Sequence, residues 1–294
     1  MISLLDNCLC CEGGHQPAYK ASDGRTDVRF IDFEKQLAKA LGDSFNLRKA
    51  EVEELFEDFL DDPNNNTIDR LAQRLEQADA IFSSTYEGAE QKSKDSILGT
   101  IALGAAGLGA ASLVLNSHSY AALERGVNES LKYHTNKYFN ELVAPKIMED
   151  VQKVLAGQSA LEINNFGFLR EVLSKRLEST PYWRVVANAS MSRGYHYGLV
   201  KAGQYAGKSG YVYNAVLDEK TSEVCQTLDG KVFWIADAVN LMEKVASADP
   251  QDVKRITPWL KASEVVGKSN DDLRQLGVIV PPLHGNCRSS ITLV

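Results

Sequence analysis

Apolar residues recur at intervals of three and four in the first part of the chain, which is the spacing of one buried helix face. Over residues 29–60 this pattern predicts two amphipathic helices. The turn-forming residues at 61–66 end the pattern, and it resumes as a third predicted helix over 68–82. The apolar positions are Phe30, Phe33, Leu37, Leu41, Val52, Leu55, Phe56, Phe59, Ile68, Leu71, Leu75, Ala78, Ile81 and Phe82. After an N-terminal arm at 1–28, the chain is therefore predicted to be helical.

The segment from Ile97 to Leu115 contains 19 residues and no charge. We predict an apolar helix of small residues at 97–115, and its length reaches the lower limit for crossing a bilayer. Membrane insertion is one interpretation. The other is a buried or oligomer-packed helical hairpin in which the small residues Ala102, Ala106 and Ala110 form a row that suits close helix packing.

Helical spacing continues over 120–177 and is interrupted near residue 180. Thr180 precedes Pro181, and a residue before proline disfavours helical geometry. This predicts a domain boundary, so that the helical region covers 29–180. One more long helix is predicted over 183–202.

Beyond Gly210 the chain has the composition of strands and turns. The segment GYVYNAVLD at 210–218 is short and rich in aromatic and β-branched residues, which favours a strand. Asp229-Gly230 predicts a tight turn with a positive φ at the glycine. The last predicted strand contains Ile291 and Leu293. The predicted fold class is α+β, with a mostly helical N-terminal region followed by a small C-terminal α/β module with a short sheet at 181–294.

Charge and cysteine content limit the classes of function. The net charge is −7, with 20 acidic and 11 basic residues (−9) in 1–95 and 19 acidic and 21 basic residues (+2) in 96–294. Neither part is basic enough to indicate tight nucleic-acid binding. Five cysteines and a start without a basic, apolar signal segment favour the reducing cytosol over secretion. A metal site formed by Cys8, Cys10, Cys11 and His15 would have no standard zinc-finger spacing.

The chain closes with PPLHGNCRSS at 281–290. Pro281 and Pro282 restrict the backbone to an extended, well-defined approach to the residues that follow. His284 and Cys287 are three positions apart, which suits metal ligation or a Cys/His pair. On spacing alone, a buried cysteine beside a surface histidine explains the same residues.

Two stretches of this chain resemble the C-terminal module of the phage Mu F-like minor head proteins, the phage head-morphogenesis family. The first is VLDEKTSEVCQTLDGKVF at 216–233, and PPLHGNCRSS follows about fifty residues later. The matching residues are Leu217, Asp218, Thr221, Ser222, Cys225, Leu228, Asp229, Gly230, Pro281, Pro282, Leu283, His284, Cys287 and Arg288. The resemblance covers about 181–294. Gly285 stands where the family commonly has proline, and Ser289 stands where a second cysteine often follows the arginine.

The resemblance implies a structural protein and not an enzyme. A minor head (minor capsid) protein is built into the virion at low copy near the portal, after assembly in the host cytoplasm, and acts in head assembly and in DNA packaging or ejection. The implied partners are the portal protein and the major capsid or scaffolding protein. Phage DNA, and the host membrane during ejection, are further candidate partners.

The chemistry of Cys225, His284 and Cys287 leaves several interpretations open. They resemble three ligands of a tetrahedral zinc site, whose fourth position would be taken by Asp218, Asp229, water or nothing. A Cys225–Cys287 disulfide formed outside the cytosol is a second interpretation, and reduced core cysteines are a third. The competing function is a metal- or thiol-dependent hydrolase, or a phage-borne effector, in which an aspartate orients His284 beside a cysteine nucleophile. We expect the three side chains to converge in one cluster.

Overall fold

The computed structural model describes residues 28–61, 68–106, 108–109, 111–115, 121, 125, 133, 143–149 and 180–294. The predicted N-terminal arm with Cys8, Cys10, Cys11 and His15, and most of the helical pattern over 120–177, lie outside the described residues. The fold is α+β, as predicted, with helices followed by a small antiparallel sheet near the C-terminus.

The chain forms two compact units, each assembled from separate stretches. Of the described residues, unit 1 contains those within 28–38, 91–125 and 184–294, and unit 2 contains those within 39–90 and 133–183. The predicted division into a helical region at 29–180 and a module at 181–294 stays a prediction. Unit 1 also takes in helical stretches from much earlier in the chain.

Helix α1 spans Val28–Asp61 as one element of 34 residues, whereas the apolar spacing predicted two helices there. The prediction of a break was wrong because no proline lies between Leu41 and Val52, and a single interior glycine, Gly42, costs a helix only about 1 kcal/mol. The buried stripe also continues through Phe45, which is 1 % exposed. Phe45 therefore continues the helical spacing between Leu41 and Val52, where the gap had suggested that the first helix ends.

Unit 2 has an aromatic core. Helix α2 spans Ile68–Ser83, close to its predicted bounds, and its Phe82 stacks on Phe45 with ring centroids 4.6 Å apart. Trp183 packs against Phe45, with the two ring centroids 5.4 Å apart. All three side chains are almost completely buried, so they form the centre of this unit.

The uncharged segment at 97–115 is divided. Helix α3 spans Thr85–Ala106 and helix α4 spans Ala111–Leu115, so the predicted continuous helix ends at Ala106. The physical reason is the poor helix propensity of the glycines that follow Ala106, of which Gly109 adopts a left-handed φ of 65°. Within the described residues, no helix combines the length and the apolar character needed to cross a bilayer.

The face of α3 that is buried is not the predicted alanine row. Ala106 is exposed and Ala102 is only half-buried, whereas Ile97, Ile101 and Ala105 are completely buried. This buried face packs on helix α5, Thr180–Tyr205, which agrees with the long helix predicted over 183–202. The small residues at this contact are glycines, which bring the two backbones close together.

The C-terminal part of unit 1 contains a three-stranded antiparallel sheet in the order β2-β1-β3. Strand β1 spans Gly210–Asn214, β2 spans Val232–Trp234 and β3 spans Ser290–Leu293, the last at the predicted position. Alternate side chains face the core, where Tyr211 pairs in register with Phe233 and Leu293. The central strand β1 therefore lies between β2, where the first motif ends, and β3, which begins where the second motif ends.

Short helices connect these strands. Helix α6 spans Glu223–Leu228 between β1 and β2, and α7 spans Ile235–Ser247 directly after β2. A 3₁₀ turn at Pro250–Asp252 leads into α8, Val253–Ile256, which is followed by α9, Ala262–Val265, and α10, Asn270–Gln275. The loop after α10 carries the second motif into β3, opposite α6.

Candidate metal centre

The first motif forms a turn that starts helix α6. Asp218 accepts a hydrogen bond from the backbone N–H of Lys220, and the Thr221 hydroxyl accepts one from the N–H of Asp218, both at 2.9 Å. Ser222 then caps α6, since its Oγ accepts the N–H of Cys225. Cys225 consequently lies in the first turn of the helix with its side chain 2 % exposed.

The second motif enters the site through a constrained loop. The peptide bond between Pro281 and Pro282 is cis, and both side chains are buried. Asn286 adopts a positive φ of 55°, which asparagine tolerates better than most residues. At Gly285 an added Cβ would lie 2.8 Å from Val185, so this position favours glycine. The loop brings His284 and Cys287 to one side.

The structure brings the three sequence-predicted ligands together. The Cys225 sulfur lies 3.2 Å from Nε2 of His284 and 3.8 Å from the Cys287 sulfur. The three potential ligand atoms all lie within 4.8 Å of one another, and the group is able to hold a metal ion. Both cysteines are reduced thiols and both are buried, while His284 is half-buried.

His284 is oriented with its Nε2 atom facing the Cys225 sulfur. Nδ1 lies 2.7 Å from the carbonyl oxygen of Gly285, which can only accept, so Nδ1 carries the hydrogen. In the neutral imidazole, Nε2 therefore carries the lone pair, and it lies close to both the Cys225 sulfur and the Ser222 hydroxyl. A backbone carbonyl that fixes the tautomer in this way is the usual support of a metal-binding histidine.

The two thiols have opposite pKa shifts. The pKa of Cys287 is lowered, chiefly by a hydrogen bond from Cys225 and further by hydrogen bonds at Leu283 and Ser289, although burial opposes this. The pKa of Cys225 is raised by its hydrogen bond to Cys287 and by burial. Each thiol is the largest influence on the pKa of the other, so the two titrate as a coupled pair.

Asp218 and Asp229 were considered as fourth ligands, and the structure engages both elsewhere. Asp218 forms a bidentate ion pair with Arg288, whose Nη1 donates to Oδ2 at 2.5 Å. Oδ1 of Asp229 accepts the backbone N–H of Ala215 at 2.8 Å. Neither carboxylate belongs to the ligand group, nor does any other His, Cys, Asp or Glu of the described residues.

The Asp218–Arg288 pair joins the two motifs. The Arg288 guanidinium holds the pKa of the Asp218 carboxyl well below its usual range.

We expect Arg288→Lys to lower the free energy of unfolding by up to about 1 kcal/mol, since an ammonium cannot form the bidentate fork and Asp218 is 42 % exposed to screening water. Urea unfolding measures this. The matched control is Arg255→Lys. It alters the ion pair of Arg255 with Asp252, in which the arginine is 78 % exposed, and should change the free energy of unfolding little. Equal effects of the two substitutions would contradict a stabilising role for the Asp218–Arg288 pair.

The predicted Asp229-Gly230 turn is confirmed. Gly230 has a φ of 74°, and the N–H of Lys231 donates to the carbonyl of Leu228 at 3.0 Å, closing the turn between α6 and β2. The surrounding space is open, so only the backbone requires glycine.

We expect Gly230→Val to lower the free energy of unfolding by about 2 kcal/mol or more, because a β-branched residue is strained at this φ. Gly230→Asn should retain most of the stability, since asparagine adopts left-handed geometry most readily. Thermal melts of both variants test this. A loss for asparagine as large as that for valine would show that strain at Gly230 is not the cause.

Three hydroxyl-bearing side chains at the cluster were not predicted as site residues. Ser222 Oγ lies 2.9 Å from His284 Nε2, and the Tyr213 hydroxyl lies 3.5 Å from the Cys225 sulfur. Ser289 hydrogen-bonds both Tyr213 and Cys287. Only Ser222 had a usable signal in the sequence, because it precedes Cys225 by the same three positions that separate His284 from Cys287.

Comparison with known proteins gives no match to a family model, to a curated protein or to a solved structure.

Proposed function

We propose that this protein is a phage minor head protein whose C-terminal module is held together by a zinc ion. The observation that supports this most is the convergence of the two motifs that carry the family resemblance. Residues 59 to 70 positions apart meet twice, as the Asp218–Arg288 ion pair and as the Cys225/His284/Cys287 group. Such convergence is expected if both motifs serve one structural module.

Zinc fits the donors and their spacing. Two thiolates about 2.3 Å from one tetrahedral zinc lie about 3.8 Å apart, and a thiolate and an imidazole nitrogen lie about 3.6 Å apart. The observed separations from the Cys225 sulfur are 3.8 Å to Cys287 and 3.2 Å to Nε2 of His284. Soft thiolates with an imidazole favour zinc over magnesium or calcium, which prefer oxygen ligands.

A structural role accounts for the site better than hydrolysis. A nucleophile must reach its substrate, whereas Cys225 is 2 % exposed and Cys287 is completely buried. A catalytic histidine is usually oriented by a carboxylate, but Nδ1 of His284 donates to the carbonyl of Gly285. The ion would instead cross-link α6 to the loop that carries His284 and Cys287. Such a cross-link stabilises a small module.

The metal part of the proposal is tested by metal analysis of the purified full-length protein. We expect one zinc per chain, and we expect Cys225→Ser combined with Cys287→Ser to abolish it. The matched control replaces the other three cysteines, Cys8, Cys10 and Cys11, with serine and should retain the zinc. Zinc that follows those three residues, or no zinc in any sample, would overturn this part.

The head-protein part is tested by co-expression with the portal, scaffolding and major capsid proteins of the same genome. We expect the chain to sediment with assembled heads at a copy number far below that of the major capsid protein. Heads assembled without the portal protein should lose it. A chain that stays out of complete heads, or that enters them equally well without the portal, would contradict a portal-associated role.

A further inference from the structure

We propose that the hydroxyl of Ser222 supplies the fourth donor of the metal site, an inference that rests on the zinc site proposed above. The ligands then form two pairs of equal spacing, Ser222 with Cys225 and His284 with Cys287, each three positions apart. Paired ligands separated by two residues are typical of structural zinc sites. In this chain, serine occupies one of the four positions.

The local geometry places the hydroxyl at the cluster. Ser222 is the N-cap of α6, and its Oγ is 3.3 Å from the backbone nitrogen of Cys225, so the two side chains belong to the same helix start. The same Oγ lies 2.9 Å from Nε2 of His284. Two donor atoms of one tetrahedral zinc, each at about 2.1 Å, would lie about 3.4 Å apart, so the hydroxyl needs to move only a few tenths of an ångström.

The hydrogen bonds of Ser222 are compatible with this role. Without metal, Nε2 of His284 has the lone pair, so the Ser222 hydroxyl donates to it while accepting the N–H of Cys225. When an ion takes the Nε2 lone pair, the hydroxyl hydrogen turns away and an oxygen lone pair faces the ion. The oxygen binds as a neutral alcohol, so no proton leaves Ser222.

This donor set predicts a weaker site than one with three thiolates. An alcohol is a poorer zinc ligand than a thiolate, and carboxylates that would replace it are engaged with Arg288 and Ala215. Ser222 thus completes the coordination without adding charge, and a cysteine at the same helix cap would convert the site to a closed Cys₃His site.

The test is titration of the metal-free, full-length protein with Co²⁺, followed by its thiolate charge-transfer and d–d absorption. We expect a four-coordinate spectrum for the wild type. Ser222→Cys should increase the thiolate charge-transfer intensity by half, from two sulfurs to three, and should bind Co²⁺ at least tenfold more tightly. Ser222→Gly should bind roughly tenfold more weakly, the size of effect seen when a supporting group of a metal site is removed.

The variants separate ligation from helix capping. Glycine is nearly as good an N-cap as serine, so Ser222→Gly removes the hydroxyl at little cost to α6, and Ser222→Thr keeps both hydroxyl and cap. We expect threonine to retain the wild-type spectrum and affinity. If glycine does so too, or if Ser222→Cys adds no thiolate absorption, Ser222 is only a cap and this inference fails while the zinc site stands. A wild type that takes up no Co²⁺ would overturn both.

Discussion

Gly198→Ala is expected to destabilise unit 1 by about 3 kcal/mol, although it adds a single methyl group to a helix. An ideal Cβ at Gly198 of α5 would lie 2.1 Å from the carbonyl oxygen of Ile101 and 3.2 Å from the backbone nitrogen of Ala105. Neither backbone atom can turn aside as a side chain would. Helices α3 and α5 would have to separate, which would open the packing around the buried Ile101.

Gly194→Ala, four residues earlier on the same helix, is the matched control. Its Cβ would meet the Ile101 side chain at 3.4 Å, which is close to an ordinary contact. Alanine also favours a helix by about 1 kcal/mol over glycine, so this variant should be neutral or slightly stabilised. Urea unfolding of the full chain gives both free energies. Equal values for Gly194→Ala and Gly198→Ala would exclude the close backbone contact.

The helix contact also shows why the alanine row was a poor guide. A row of small residues indicates that close approach is permitted, but it does not say which face of the helix a partner uses. On α3 the partner contacts Gly104, where an added Cβ would lie 2.0 Å from the carbonyl oxygen of Tyr195, and leaves Ala106 exposed. The large apolar residues Ile97 and Ile101 lie on the contacting face and are completely buried.

Local signals predicted the elements that local chemistry determines. The Asp229-Gly230 turn, strand β3 and helices α2 and α5 follow from residues within each element. The continuity of α1 was missed because the gap in its apolar spacing resembled an end, although no strong helix-breaking residue was present. The assembly of unit 1 from distant stretches depends on contacts between α3 and α5, which spacing within either helix does not encode.

The candidate site was predictable as a set of residues but not as a geometry. Cys225, His284 and Cys287 were expected to converge because two motifs in one small module had to meet. The pairing of Asp218 with Arg288 could not be derived, since any nearby cation would satisfy a carboxylate in sequence terms. Ser222 was overlooked as a donor because serine at a helix start already has a sufficient explanation as a cap.

Glu34→Gln is expected to stabilise the protein at pH 8 and to have little effect at pH 4. Glu34 lies on α1 with only 9 % of its surface exposed, and its carboxylate accepts a hydrogen bond from Nδ2 of Asn188 at 3.1 Å. Burial raises the pKa of this carboxyl from 4.5 to about 7, although Asn188, Arg184 and Lys35 act to lower it. Its charge is therefore unfavourable in the folded protein.

The pH dependence follows from the direction of this shift. Between about pH 4.5 and 7 the folded protein keeps the Glu34 proton that the unfolded chain has lost, so this residue makes the free energy of unfolding fall as pH rises. The 2.5-unit difference between 7 and 4.5 corresponds to about 3 kcal/mol once both states are ionised. A neutral glutamine keeps the shape and the hydrogen bond without this cost.

Unfolding free energies of Glu34→Gln and the wild type, measured from pH 4 to 8, should therefore diverge only above about pH 4.5. The matched control is Glu54→Gln, on the exposed side of the same helix. It should give no such divergence, because a solvated carboxylate gains nothing from losing its charge. Parallel curves for Glu34→Gln and the wild type would show that Glu34 ionises in the folded protein as freely as in water.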